Sequence, residues 1–245
     1  APPMIEAMQP ILPKGSAVIV GEPSMMKAVT AHKGGQAFAV HVRGFEVHSS
    51  LLPTGVSAIL EAGRILEWVN ATNAEVQSAE PTPVAAMFSP PCTTVHVGNI
   101  KGGTARNITA KDCWLDLEIR VVPGEDTEAW KQRFLEFAKT LEAEMQKVRP
   151  ETGIDVDAKF DVQGLRPEED GEAETIVRAI TGDNAAHVVS YGTEAGQFQQ
   201  AGYSAVVCGP GDIAQAHQPN EFIEIAQFNA GVDFMARLLT RLEEG

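Results

Sequence analysis

The chain is poor in cysteine: Cys92, Cys113 and Cys208 are odd in number, far apart, and form no Cys-x-x-Cys pair. That excludes a disulfide framework and points to a reducing, cytoplasmic compartment. Positive charge is also short. Nineteen Lys and Arg stand against 33 Asp and Glu, for a net charge of −14 spread along the sequence rather than gathered in a tail. Such a field repels nucleic acid and anionic membrane, which argues against either as a partner. No apolar run approaches the ~18 residues that a membrane-spanning helix needs. The opening residues, APPMIEAMQP, lack the basic segment and apolar core of a signal peptide. They also lack an initiator Met, which suggests processing or truncation. Several catalytic signatures are missing too: HExxH, GxSxG, a Walker Gly-Lys-Ser/Thr loop, a Cys in a nucleophile context, and any His-x-Asp.

What is present is ordinary globular composition, 44% hydrophobic and 21% charged, with enough length for one large domain or two modest ones. The apolar run 17–20 reads as a buried strand that ends in Gly-Glu-Pro. Residues 35–46 place Phe38, Val40 and Val42 on one face, the period-2 pattern of a half-buried strand. Residues 57–70 have helical spacing, and 93–100 and 113–122 read as strands joined by a Gly-Gly segment. The stripe Trp130, Phe134, Phe137, Leu141, Met145 and Val148 predicts a helix over 127–148, with Thr127 as its N-cap. Residues 154–162 alternate again. The order β-α-β-β-α-β over 35–162 is the split βαβ arrangement of a ferredoxin-like α+β domain. After the polar bridge LRPEEDGEAE the texture becomes α/β: helix 173–181, strand 187–190, helix 194–201, strand 203–208 and helix 226–243. The fold class predicted is therefore an α/β domain (1–34 and 163–245) with a ferredoxin-like domain (35–162) inserted. One strand before the insert and two after it look too few for a free-standing sheet covered on both faces.

Few residues in this pattern can carry chemistry. Glu22 follows a strand beside a proline, and His217 lies in the loop segment CGPGDIAQAHQPNEFI just past another strand. Each alone reads as an ordinary loop side chain. Together they sit at strand ends of the α/β part, where open sheets place their sites. His48, in RGFEVHSSLLPTG, is either part of a polar turn capped by Ser49 or Ser50 or an imidazole able to donate to a developing oxyanion. GTEAG (192–196) is either a helix start capped by Thr193 or a set of backbone N–H groups that could hold a carboxylate. GGTARN (102–107) reads as a plain hairpin, and the pairs Glu168-Glu169 and Glu243-Glu244 as solvated charge.

Five stretches in order, IVGEPS, AHKGGQAFAVHVRGFEVHSSLLPTGVSAI, GNIKGGTARNITAKDCWLDLEIRVVPGE, SYGTEAGQFQQAG and CGPGDIAQAHQPNEFI, cover nearly the whole chain. Taken jointly they resemble the M20 family of metal-dependent deacylases and peptidases, and within it the acetylornithine deacetylase branch. The resemblance implies a ferredoxin-like lid and dimerisation domain inserted into an α/β catalytic domain that holds two divalent metal ions, zinc or cobalt. It gives Glu22 and His217 the role of metal ligands, and His48 that of a lid histidine reaching the scissile carbonyl in the partner subunit's site. Asn107 and Arg120 match lid residues that contact substrate, and Gly192 and Thr193 the turn near the substrate carboxylate. The reaction implied is metal-assisted hydrolysis by a homodimer, with release of the acyl group from an N-acyl amino acid, N-acetylornithine first among them.

The same resemblance exposes a departure. Family members begin with a His-x-Asp ligand motif, a bridging Asp and a Glu-Glu pair that supplies the general base. Nothing in this sequence matches them. The expectation is thus a C-terminal portion of such an enzyme, inactive and without bound metal by itself. Two rivals stand beside it: a non-catalytic lid and dimerisation module, and an M20 dipeptidase or aminopeptidase.

Overall fold

A computed structural model describes residues 1–244. The elements in chain order are α1 (Pro2–Met8), β1 (Ala17–Val20), β2 (Val29–His32), β3 (Gly35–Arg43), α2 (Ala58–Ser78), β4 (Thr94–Gly102), β5 (Asp112–Arg120), α3 (Thr127–Val148), β6 (Gly153–Val162), α4 (Glu172–Thr181), β7 (His187–Val189), α5 (Ala195–Gln200), β8 (Ser204–Val207) and α6 (Ile225–Glu244), with short 3-10 turns between some of them. The chain divides into two compact units, Ala1–Gly34 with Val162–Gly245, and Gly35–Asp161.

The central unit is built on a sheet ordered β4-β5-β3-β6. β5 is central and apolar at every second residue, so Cys113, Leu115, Leu117 and Ile119 all face one core. β3 adds Phe38, Val40 and Val42, while α2 and α3 close the same face with Ile65, Val69, Phe134 and Leu141. Phe134 is fully buried and packs against Phe38 and Trp68; burial of a side chain of that size contributes about 2 kcal/mol. The cap of α3 differs from expectation. Asp126, not Thr127, is the N-cap, its carboxylate accepting from the backbone N–H of Glu128 at 2.9 Å and of Ala129 at 3.2 Å. A carboxylate one residue earlier satisfies two orphan donors and complements the helix dipole, which a hydroxyl does less well.

The other unit carries four strands, ordered β1-β8-β2-β7. β2 was absent from the sequence expectation. With it the sheet has four strands and is packed on both faces along β8, while all four residues of β1 stay half-buried. Along β8 and just beyond it, Ala205 and Val207 join Val29, Leu165 and Phe198 on one side, while Val206 and Cys208 join Val177, Ile180 and Phe234 on the other. β1 pairs with β8 in parallel, and β2 pairs in parallel with β7 but antiparallel with β8. α1, also unforeseen, places Ile5 in the first of these cores.

Replacing Asp126 by Ala removes both capping bonds and should lower unfolding stability by about 1 kcal/mol. The change should appear as a lower urea midpoint with an unchanged slope. No shift would mean that Asp126 does not hold the start of α3.

Candidate functional site

β1 and β8 run parallel and end at the same edge of their sheet. Glu22 leaves the end of β1, and the loop carrying His217 leaves the end of β8. Backbone bonds join these two loops. Ser24 N–H and Met26 N–H both donate to Gly209 O at 3.0 Å, and Met25 N–H donates to Gly211 O at 2.8 Å. Gly209 N–H donates in turn to Ser24 Oγ at 3.0 Å. The approach is so close that a Cβ on Gly209 would collide with the carbonyl oxygens of Gly21 and Glu22, so this position requires glycine. Met25 and Met26 both take left-handed backbone, φ 57° and 58°, at a cost of about 1–2 kcal/mol each. The three N–H bonds to the 209–211 loop offset that strain.

Tyr191 locks a third segment to this edge. Its hydroxyl donates to Pro23 O at 3.2 Å, directly beside Glu22 and one residue before the Gly192-Thr193 turn. Burial pushes the Tyr191 phenol above the usual tyrosine range, and the negative charges of Glu22 and Asp212 push it further. Tyr191, Asp212, Pro23, Ser24, Lys27 and His187 line a cavity of about 360 Å³. Asp212 caps the 3-10 turn Ile213–Gln215, its Oδ1 accepting from Ala214 N–H at 2.9 Å. His217 follows with left-handed backbone, φ 59°, a conformation that histidine tolerates better than most residues. Its N–H donates to Glu221 Oε2 at 3.0 Å, and the residue is exposed. Thr193 is buried, and its Oγ1 accepts from Ala195 N–H at 3.1 Å in a turn just ahead of α5, whose N-cap is Glu194 and not Thr193.

The remaining candidates lie in the central unit, at two different ends of its sheet. His48 forms a bridge with Ile108, and Ser49 N–H donates to Asn107 O at 2.9 Å, so His48 and Asn107 are backbone neighbours. His48 Nδ1 accepts from Ser50 N–H at 3.3 Å and lies 2.8 Å from Ser50 Oγ. A neutral imidazole whose Nδ1 accepts carries its proton on Nε2, on an exposed residue. Arg120 instead ends β5 and pairs with Glu118 at 2.5 Å. Asp112, at the start of β5, pairs with Arg43 close to the His48 loop. Eight residue steps of about 3.4 Å put Arg120 ~27 Å along the strand from that end.

Glu22 and His217 are a carboxylate and an imidazole, donors that suit zinc or cobalt in kind. In number they do not make a metal centre. Among the described residues, no group of three or more His, Cys, Asp or Glu side chains is gathered for an ion. Sequence reasoning missed Tyr191 and Asp212, which hold the edge together; their neighbours GTEAG and GPG were the available signal. It also missed His32, fully buried in β2 with Nδ1 2.9 Å from Lys33 O, where burial lowers its pKa.

Residues 30–146 match the peptidase dimerisation domain of the M20 group. An acetylornithine deacetylase of Myxococcus xanthus is 36% identical over 207 residues, covering 84% of this chain and 52% of its own length. One from Yersinia pestis is 33% identical over 208 residues, covering 85% and 51%. The chain is therefore similar to M20 peptidases over most of its length, their dimerisation domain included. Its sequence relatives include acetylornithine deacetylases, and it spans about half the length of those it matches. Among solved structures, aminopeptidase PepT from Bacillus cereus shares the fold with a TM-score of 0.68 at 19% identity, over 94% of this chain and 58% of that one.

The influence of the Glu22 charge on the Tyr191 phenol gives a direct test. Glu22→Gln removes a negative charge beside the phenol, so Tyr191 should ionise at lower pH than in the unaltered chain. Ultraviolet titration resolves this against a Tyr191→Phe control, since the chain has only one other tyrosine, Tyr203. An unchanged titration would separate Glu22 from the cavity.

Proposed function

We propose that this chain is a working part of a metal-dependent amidohydrolase that removes the acyl group from an N-acyl amino acid, with N-acetylornithine as the leading substrate. The observation that carries the reading is the joined edge of β1 and β8, which presents Glu22, the Tyr191–Thr193 turn and the His217 loop together, in a chain similar to acetylornithine deacetylases. On this reading Glu22 and His217 give one ligand each to a pair of zinc or cobalt ions, and the remaining ligands and the general base are not among these residues. Gly192 and Thr193 adjoin the substrate carboxylate.

The central unit supplies the rest through a homodimer. A substrate the size of an acyl amino acid is too small to span β5, whose far end at Arg120 lies ~27 Å along the strand from the end next to the His48 loop. Two copies resolve this: each substrate meets Arg120 from one chain and His48 with Asn107 from the other. β4 is an edge strand, and Ile100 on it and Ile59 and Leu60 on α2 are exposed, so edge-to-edge pairing with apolar cover is available. The Nε2–H of His48 then donates to the oxyanion that forms as the amide carbonyl is attacked.

In the native protein, His48→Ala should lower kcat on N-acetylornithine by roughly 10²–10³, the cost of one lost oxyanion donor. His217→Ala should abolish activity. Mixed dimers of the two variants should regain activity, because one of their two sites keeps both His217 and the partner's His48. No regain in verified heterodimers would place His48 in its own chain's site or outside catalysis. The 245-residue chain alone should retain no stoichiometric zinc after dialysis and hydrolyse no N-acetylornithine. Two tightly held ions per chain would overturn the ligand assignment. The match of residues 30–146 to a dimerisation domain also favours a second reading, a non-catalytic pairing module. Full metal loading and turnover in the native protein would sink it. Dipeptide substrates in the same assay separate deacylase from peptidase.

A further inference from the structure

The loop that follows Glu22 also borders a second cavity, of about 450 Å³, shared by Met25, Met26 and Lys27, the end of α4 with the turn after it, and the side of α6 turned toward α4. That volume falls among small-molecule sites, which run from roughly 300 to 1,000 Å³. Ile180, Phe234 and the two methionines give the cavity apolar walls. Lys27, Asp183, Asp233 and Arg237 give it charge.

The four charged side chains are not equally engaged. Asp183 is committed within its own unit: Oδ2 accepts from Ala28 N–H at 2.9 Å, Oδ1 accepts from Ala185 N–H at 3.2 Å, and His187 Nε2 lies 3.1 Å away. Arg237 gives one N–H to Ile180 O at 2.9 Å. That bond fixes the guanidinium at the end of α4 and leaves the rest of its donor fork for a carboxylate. Among the described residues, neither the Lys27 ammonium nor the Asp233 carboxylate has an ion-pair or hydrogen-bond partner. Two cations and one carboxylate thus meet one cavity with their charges unpaired. A bare anion would suit Arg237 and Lys27 but would be repelled by Asp233. A molecule carrying a carboxylate and an ammonium side by side satisfies all three.

We infer that this cavity binds a free α-amino acid with an apolar side chain. Its carboxylate sets against Arg237 and Lys27, its ammonium against Asp233, and its side chain against Ile180 and Phe234. A second ammonium, as on ornithine, finds no uncommitted carboxylate there. Neither Glu22 nor His217 lines the cavity, so the inference does not rest on the ligand assignment. It does reach the Glu22 loop. Met25 and Met26 line the cavity and are held in left-handed backbone by bonds from their N–H groups to Gly211 O and Gly209 O. A molecule packed against these two residues steadies a strained turn, and with it the segment that carries Glu22.

L-Norvaline is the probe, titrated by calorimetry into the 245-residue chain, with pentanoate and butylamine as the same skeleton bearing one charge each. The expected result is one norvaline per chain, with Kd raised at least tenfold in Asp233→Asn and in Arg237→Gln. Pentanoate, butylamine and L-ornithine should each bind at least tenfold more weakly than norvaline. Asp233 is exposed and unpaired, so its amide variant should keep the melting temperature even if loss of the Arg237 bond to Ile180 O loosens the end of α4. Saturating norvaline should also slow hydrogen exchange at the Met25 and Met26 amides. No uptake of norvaline at millimolar concentration, an affinity indifferent to both variants, or pentanoate or L-ornithine binding as tightly as norvaline overturns the inference. So does loss of binding in Glu22→Gln, which would put the amino acid at the β1–β8 edge, and so does binding that leaves both amides exchanging as before.

Discussion

The parallel pairing of β1 with β8 is the constraint on which the candidate site depends. Parallel strands end together, so the loop after β1 and the loop after β8 must leave the sheet side by side, although 187 residues separate Glu22 from Gly209 in sequence (209 − 22). Once adjacent, the two loops exchange backbone bonds through Ser24, Met25, Met26, Gly209 and Gly211. Those bonds hold two consecutive methionines in left-handed backbone. Strain of that kind persists only where the surroundings over-determine it. A chain that lost the β1–β8 register would lose the loop bonds with it, and the relation of Glu22 to Tyr191 would go next.

The other unit reaches its order by different means. Its sheet buries one face under α2 and α3, and its charged groups collect elsewhere. His41 lies 2.8 Å from Asp112 and stacks on Trp114, while Arg43 holds Asp155 at 2.7 Å. Arg43 keeps the Asp155 carboxyl below the usual carboxylate range through that hydrogen bond. These groups are substantially exposed, so their worth to stability is small. They give the outer face of the sheet its polarity and keep it from competing with the apolar edge near β4 and α2. One face packs and one is wetted, with β4 and β6 as the two edge strands.

How far these features are legible in sequence varies with the signal each leaves. α3 is plain because its apolar residues recur over 22 residues at helical spacing. β3 and β5 are plain because alternation survives along nine residues each. β2 is not. Val29–His32 has four residues, one large aliphatic side chain and a histidine, yet all four are buried. A short strand covered on both faces has no polar alternation to announce it. Its omission makes the α/β sheet look one strand short and uncovered. The cap of α3 fails for a smaller reason: Asp126 and Thr127 both have capping side chains, and only geometry chooses between them. At the candidate site, Glu22 and His217 draw notice as strand-end side chains. Tyr191 and Asp212 do not, because their effect comes from a tertiary contact with Pro23 and from a cavity no local pattern encodes.

On the proposed reading, each unit meets one kind of requirement by its own physical means. Groups that could bind an ion must be fixed to a fraction of an ångström, and they stand on loops tied to each other and to a sheet buried on both faces. A group that donates to a transient oxyanion needs a defined tautomer and freedom to project. His48 has both, its Nδ1 engaged by Ser50 N–H at 3.3 Å and its far nitrogen exposed. On that reading, a group beyond one end of a nine-residue strand and Arg120 at the other end would not meet on a single small substrate within one chain, so the length of β5 would tie the proposed chemistry to two copies. Shortening that strand would disturb the core as well as the separation, because Cys113 and Ile119, next to its two ends, are as buried as Leu115 and Leu117.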